Sequence, residues 1–204
     1  GAGGGDGGIG GIGGDITVSD LGASITGTLT LTDGATGATG AAGTGGDGGA
    51  GGAGGNVKLI LLDDGGATTY GATTVGNDGD ATIQVSNDTR TATFASIGTS
   101  SKSLGALNVV LSTVDGNAAV TGDAYIDVIT LGAAANYATA SSLDLNGDTT
   151  FTTMTITAST GSAVAGTVTA FGDLTGTTIA LADTANNGTS QLTLDGTAAQ
   201  TVSA

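Results

Sequence analysis

The chain has 204 residues, 41 of them glycine, and a formal net charge of −15 from 18 acidic and three basic residues. So few basic residues predict no nucleic-acid binding and no attraction to anionic lipid. The sequence contains neither histidine nor cysteine, which excludes histidine-dependent nucleophilic triads and zinc sites built on imidazole or thiolate. No stretch approaches the ~18 apolar residues of a membrane-spanning helix, so membrane insertion is not predicted.

Two glycine tracts with a period of three come first in the chain. In residues 1–13 and 34–55, glycine recurs at every third position. This period suits an extended left-handed helix with three residues per turn, but the lack of proline argues against collagen. The tracts are therefore interpreted either as packed polyglycine-II helices or as flexible linkers. We predict a glycine-triplet region with intervening strands at 1–56 and a Thr/Asp-rich β-domain at 57–204.

Runs of alternating apolar and polar residues indicate β-strands along the rest of the chain. The first runs are 16–18 and 25–32, followed by VKLILL at 57–62, whose nearly continuous apolar character predicts burial on both faces. Later runs are 81–86, 91–97, 107–113, 124–131, 149–157, 166–171, 177–182 and 190–194. The best helix candidate, 132–141, is short and lies between strands.

The spacing of these runs predicts an all-β fold with two possible architectures. In the last third of the chain, the apolar centres fall near 156, 168, 180 and 193. Two such units would form one coil of a parallel β-solenoid, about two dozen residues long. Turn pairs such as Asp78-Gly79 and Asn146-Gly147 would equally suit the hairpins of an antiparallel β-sandwich. We favour the solenoid because small residues and Asp or Asn at corners suit a thin core.

Three segments resemble the repeats of bacterial autotransporter passenger domains and filamentous-haemagglutinin-like surface proteins. They are GGDITV at 13–18, NGDTTFTTMTIT at 146–157 and LTLDGTAAQTVSA at 192–204. The resemblance implies a secreted, right-handed parallel β-helix that serves as a stalk, an adhesin or part of a surface layer. The glycine tracts separately resemble the polyglycine regions of some phage tail-fibre adhesins.

Calcium is the ligand that suits the acidic residues best, because every acidic residue is aspartate and many occur at turns. One candidate site contains Asp144, Asn146 and Asp148, which match the first half of an EF-hand loop, although Thr149 and Thr155 stand where that loop needs glycine and glutamate. The second candidate site contains Asn77, Asp78 and Asp80. The alternative for each cluster is an Asx turn at the end of a strand.

These observations predict a non-enzymatic, extracellular structural protein. It would self-associate into a homopolymer, as a surface layer, sheath or filament, through sheet edges or stacked ends. The alternative is a cell-surface or phage-type adhesin that binds a surface glycan. Two further alternatives are a β-helical polysaccharide-degrading enzyme and an ice-binding protein. A cleft with clustered aspartates beside Tyr70, Tyr125 or Tyr137 would favour the enzyme, and the ranks of threonine at 28–32 and 153–157 would favour ice binding.

Overall fold

The computed structural model describes residues 14–18, 24–33, 55–61, 68–86, 91–110, 117–132, 141–157, 166–182 and 189–204. These residues form sixteen β-strands and no helix. The strands are β1 Asp15–Val18, β2 Leu29–Leu31, β3 Lys58–Leu61, β4 Thr68–Val75, β5 Asp80–Val85, β6 Thr91–Ile97, β7 Leu104–Val110, β8 Asn117–Val120, β9 Ala124–Gly132, β10 Ser141–Leu145, β11 Thr149–Thr157, β12 Gly166–Ala170, β13 Leu174–Thr175, β14 Thr178–Ala182, β15 Ser190–Leu194 and β16 Val202–Ser203.

Every pairing between these strands is parallel, and together they form a β-solenoid, as the spacing predicted. One ladder contains β1, β3, β5, β7, β9, β11 and β14, and a second contains β2, β4, β6, β8, β10, β12 and β15. A short third ladder joins successive coils through Thr73, Ile97, Ala124, Thr149, Leu174 and Val202. Parallel neighbours require long connections rather than hairpins, so the antiparallel sandwich is not formed.

The coil length agrees with the sequence period. Leu143 pairs with Val168, 25 positions later, and Val168 pairs with Leu192, 24 positions later. The first step is longer, since Asp15 pairs with Lys58 across 43 positions. The glycine tract at 34–55 falls within that step. Both glycine tracts lie almost wholly outside the described residues, so their predicted conformation stays a prediction.

The core consists of columns of apolar side chains that point inward from successive coils. One column contains Ile83, Leu107, Ile129 and Met154, all fully buried. In the second ladder, Tyr70 stacks on Phe94 with ring centroids 5.1 Å apart. Each such large side chain contributes about 1.5–3 kcal/mol when it is buried, so the stacked columns stabilise the narrow solenoid.

Several local predictions differ from the structure. In β3 the burial alternates, with Leu59 and Leu61 buried and Lys58 and Ile60 half-buried, so the prediction of two buried faces is wrong. Strands β4, β8, β10, β13 and β16 were not predicted. Asn146-Gly147 is not a hairpin turn, because the strands that flank it, β10 and β11, belong to different ladders. It forms a corner of the coil instead.

The proposed boundary between residues 56 and 57 stays a prediction. Strands on its two sides belong to the same hydrogen-bonded sheet, since β1 pairs with β3 and β2 pairs with β4.

One corner of the solenoid is built from stacked glycines. A Cβ atom on Gly147 would lie 2.4 Å from the carbonyl carbon of Gly122, and one on Gly172 would lie 2.4 Å from the carbonyl oxygen of Gly147. The backbones of successive coils therefore approach too closely here for any side chain. This corner holds the aspartates described next.

Candidate functional site

A ladder of aspartates follows the glycine corner along the solenoid. The Asp123 carboxylate accepts a hydrogen bond from the Asp148 N–H at 3.2 Å, and the Asp148 carboxylate accepts one from the Asp173 N–H at 3.0 Å. The Asp173 carboxylate in turn accepts from the Thr201 N–H at 2.7 Å. Each carboxylate thus joins its own coil to the next, and negative charges line one corner of the molecule.

The first predicted calcium cluster is spread over a strand and this corner. Asp144 lies in β10, in register between Ala119 and Thr169. The Asn146 side-chain amide donates to the Val120 carbonyl at 3.2 Å, and Asp148 belongs to the aspartate ladder. Asn146 and Asp148 therefore bond to the backbones of neighbouring coils, as corner residues do.

The second predicted calcium cluster is divided in a similar way. The Asn77 side-chain amide donates to the Asp80 carboxylate at 2.7 Å, whereas the Asp78 carboxylate bonds to Ser103. In the part of the chain that the structure describes, no three acidic side chains are grouped as a metal site would require. Calcium binding at either cluster stays a prediction.

A surface cleft of about 210 Å³ opens beside Asp78. Its acidic residues are Asp78 and Asp127, and Tyr125 supplies an aromatic side chain. Buried Ile126 and Phe151 contribute apolar surface. The remaining lining residues all carry hydroxyl groups, and they are Thr99, Ser100, Ser103, Thr150 and Thr152. The cleft therefore combines hydrogen-bonding groups with an aromatic side chain, as small-molecule sites do.

Two carboxylates converge on one hydroxyl in this cleft. The Ser103 Oγ lies 2.8 Å from Asp78 Oδ1 and 2.5 Å from Asp127 Oδ1, so the two carboxylate oxygens are at most 5.3 Å apart, the sum of those distances. One hydroxyl has a single proton to donate, and the carboxylates share it. The backbone N–H of Ser103 and then its hydroxyl lower the pKa of Asp78 below its ordinary value of 3.8, because both donate to the ionised form.

Sequence reasoning named Asp78 as a metal ligand but did not connect it with Ser103 and Asp127. Ser103 follows Asp78 by 25 positions, and Asp127 follows Ser103 by 24. Each interval is the length of one coil. The period found in the last third of the chain, extended back to residue 78, would have aligned them. Of the three tyrosines considered for an acidic cleft, Tyr125 lines this one and Tyr70 lies in the core. Tyr137 lies outside the described residues.

The last described coil leaves the core open at one end. Strands β14, β15 and β16 each pair with a described strand on one side only. Three apolar side chains of this coil are unusually exposed: Leu181 at 56%, Leu194 at 48% and Val202 at 41%. In the preceding coil, their column partners Ile156, Ala170 and Leu174 are fully buried. Among the described residues, this open end therefore presents both apolar surface and strand backbone groups without a strand partner.

The first described coil has a matching edge. Strands β1 and β2 also pair with a described strand on one side only. Ile25 pairs with Tyr70 and is the first residue of the core column that ends at Leu194. Leu29 pairs with Thr73, in the column that ends at Val202. Both are partly buried against the core, so the two ends carry apolar residues at corresponding positions.

The predicted threonine rank in β11 faces outward. Thr153, Thr155 and Thr157 are all half-buried, while Met154 and Ile156 between them point into the core. Thr28, Thr30 and Thr32 are exposed. Outward threonines suit a solvated strand face, and the possibility of ice binding stays a prediction.

Comparisons with protein-family models, curated proteins and solved structures find no match to this chain. Within the residues that the structure describes, no helix is long and apolar enough to cross a membrane.

Proposed function

We propose that this protein is an extracellular structural subunit that forms a homopolymer by stacking its solenoids end to end. The open end of β14, β15 and β16 carries the proposal, because it combines free strand edges with exposed Leu181, Leu194 and Val202. In the described solenoid, strands with a free side occur only in the first and last coils. A second copy that pairs with one of these strand edges therefore also stacks on an end of the solenoid.

The register of the columns supports pairing between unlike ends. A second copy that continues the ladders would place its Ile25 beside Leu194 and its Leu29 beside Val202. Both contacts join apolar residues, as the contacts within the solenoid do. The interface is head to tail, and such an interface extends into a filament when its rotation does not close into a ring.

The energetics favour assembly under suitable conditions. Complete burial of a leucine contributes about 1.5–3 kcal/mol, and each hydrogen bond between strands adds about 0.5–1.5 kcal/mol. Association costs about 4–15 kcal/mol in lost translational and rotational freedom. Repulsion between copies that each carry a charge of −15 opposes it further. We therefore expect assembly to increase with protein concentration and with salt.

The extracellular location rests on the resemblance of three segments to repeats of secreted surface proteins. The parallel β-solenoid is the fold that this resemblance implies. An antibody against the purified protein should label intact cells of the source organism, and labelling that requires permeabilised cells would contradict the location.

A matched pair of valines tests the stacking. Val202 at the open end and Val128 on the side of β9 are exposed to nearly the same extent, 41% and 39%. Val202→Asp should weaken assembly by roughly 100-fold or more, because an unpaired charge buried in an interface costs several kcal/mol. Val128→Asp should leave assembly unchanged, since Val128 already has register partners on both sides, Ala106 and Thr153.

Sedimentation velocity and negative-stain electron microscopy would measure the outcome. Both variants must first show the circular dichroism and melting temperature of a folded solenoid. Filaments lost in Val202→Asp and kept in Val128→Asp support stacking. The reverse pattern would indicate association through the sides, and a parent protein that stays monomeric at high concentration and high salt would refute the proposed function.

A further inference from the structure

We propose that the cleft beside Asp78 binds one ring of a neutral sugar. This inference does not depend on end stacking, because the cleft lies on the side of the solenoid between β9, β11 and the segments 76–80 and 98–103. A volume of about 210 Å³ is below the ~300–1,000 Å³ of ordinary small-molecule sites. The cleft is thus suited to a single small ring rather than to a larger cofactor.

The polar groups of the cleft match a polyhydroxyl ligand. Asp78 and Asp127 place carboxylate oxygens no more than 5.3 Å apart, as their distances of 2.8 and 2.5 Å to Ser103 require. Oxygens at this separation can accept hydrogen bonds from neighbouring hydroxyls of one sugar. Thr99, Thr150 and Thr152 line the same cleft and can each donate or accept.

Tyr125 provides the apolar complement. A tyrosine ring offers a flat face to the C–H groups of a sugar while its hydroxyl remains free for a hydrogen bond. Tyr125 is partly exposed, and it lines the cleft beside the buried Phe151. The tyrosine ring and the two carboxylates that meet at the Ser103 hydroxyl distinguish this cleft from the aspartate ladder.

Charge selects among sugars. The cleft is lined by two carboxylates and no basic side chain, and the whole chain has a charge of −15. A sugar with its own carboxylate is repelled. The hydrogen bonds from Ser103 lower the pKa of Asp78, so this carboxylate can accept hydrogen bonds from the hydroxyls of a ligand. The cleft therefore suits a neutral sugar.

The test titrates the full chain with methyl glycosides of glucose, galactose and mannose, and with glucuronic acid. A ligand of about a dozen heavy atoms with ordinary efficiency binds with a Kd on the order of 1 mM, which saturation-transfer NMR detects. At least one neutral glycoside should bind, and glucuronic acid should bind at least tenfold more weakly. Asp127→Ala and Tyr125→Ala should each weaken binding about tenfold or more. Asp195→Ala, far from the cleft, should not.

Each other result overturns the proposal. It fails if no neutral glycoside binds, or if binding persists unchanged in both cleft variants while circular dichroism shows that they are folded. Binding of Ca²⁺ alone at Asp78 and Asp127, lost with a chelator and unaffected by sugar, would show a cation site. Release of reducing sugar from a polysaccharide by the parent protein, abolished by Asp127→Ala, would show a hydrolase.

Discussion

At the scale of single residues, the core contains hydroxyl groups that its architecture does not require. Thr73, Ser141 and Thr149 are buried, and their hydroxyl oxygens have no hydrogen-bond partner among the described atoms. A buried hydroxyl without a partner costs about 1–3 kcal/mol in lost hydration. Thr149 stands between the apolar side chains of Ala124 and Leu174 in its column, so a hydrocarbon side chain of the same shape would suit its position better.

Thr149→Val should therefore raise the free energy of unfolding by about 1 kcal/mol, because it replaces the unpaired hydroxyl with a methyl group of similar size. Its neighbour Thr150 is exposed and serves as the control, since Thr150→Val should change stability by less than about 0.5 kcal/mol. Urea denaturation followed by circular dichroism measures both variants. A clear loss of stability in Thr149→Val would show that its hydroxyl has a partner.

The contact between Asp78 and Ser103 predicts a dependence of stability on pH. Because the pKa of Asp78 is lowered in the folded state, its contribution is present above the unfolded pKa, near 3.8, and is lost as pH falls through the folded value. The melting temperature of the parent protein should exceed that of Asp78→Asn at pH 5, and the difference should shrink towards pH 2. Ser103→Ala should reduce this pH-dependent part, since it removes one of the two donors. A difference that stays constant across the range would contradict the assignment.

At the scale of structural elements, the glycine corner and the aspartate ladder form one unit that repeats with the coil. The sequence shows this unit as Gly122-Asp123, Gly147-Asp148 and Gly172-Asp173. The glycine lets the backbones of neighbouring coils touch, and the aspartate accepts the next coil's N–H. One of the segments that resemble repeats of surface proteins, NGDTTFTTMTIT at 146–157, contains the pair Gly147-Asp148. In this chain that pair forms a corner of the solenoid.

Gly147→Ala should destabilise the protein by about 1–3 kcal/mol, because its Cβ would lie 2.4 Å from the carbonyl carbon of Gly122 and force the coils apart. Gly27→Ala is the control, since its Cβ would meet no atom within 4 Å. Thermal melting of both variants measures the difference. Equal stability of the two variants would show that the corner tolerates wider spacing between coils.

At the scale of the whole molecule, the chain carries negative charge that its three basic residues offset only in small part. The net charge is −15, and three of the aspartates, Asp123, Asp148 and Asp173, follow one another along a single corner. Strands in a sheet are about 4.8 Å apart, so carboxylates on adjacent coils repel each other by roughly 1 kcal/mol even in water. Cations in solution should therefore stabilise the fold and its assembly.

We predict that Ca²⁺ raises the melting temperature and promotes stacking, and that a chelator reverses both effects. Binding at the predicted cluster should be weakened by the double substitution Asp144→Asn and Asp148→Asn, which keeps an oxygen acceptor at each position while removing two charges. Differential scanning calorimetry with a calcium titration, compared with NaCl at equal ionic strength, separates binding from screening. Equal effects of the two salts would leave screening as the whole explanation.

The fold was predictable because it follows from local pattern, while the candidate cleft was not. Alternation of apolar and polar residues identified β11 and β12, and their spacing gave the coil length. Strand β4 was missed because Gly71 and four threonines mask its pattern, although Tyr70 and Val75 point into the core. The cleft is lined by residues from four successive coils, and sequence analysis grouped Asp78 with its neighbours Asn77 and Asp80 instead of with Asp127.

The sequence by itself determined the class of the fold and its repeat, since side-chain alternation and small corner residues act between near neighbours in the chain. Tertiary structure decided how those repeats pair. Only parallel stacking turned Asn146-Gly147 from a hairpin turn into a corner, placed Ser103 between Asp78 and Asp127, and left Leu194 and Val202 at an open end. The physical reason is that contacts between coils depend on the register of strands some 25 residues apart, which local pattern leaves open.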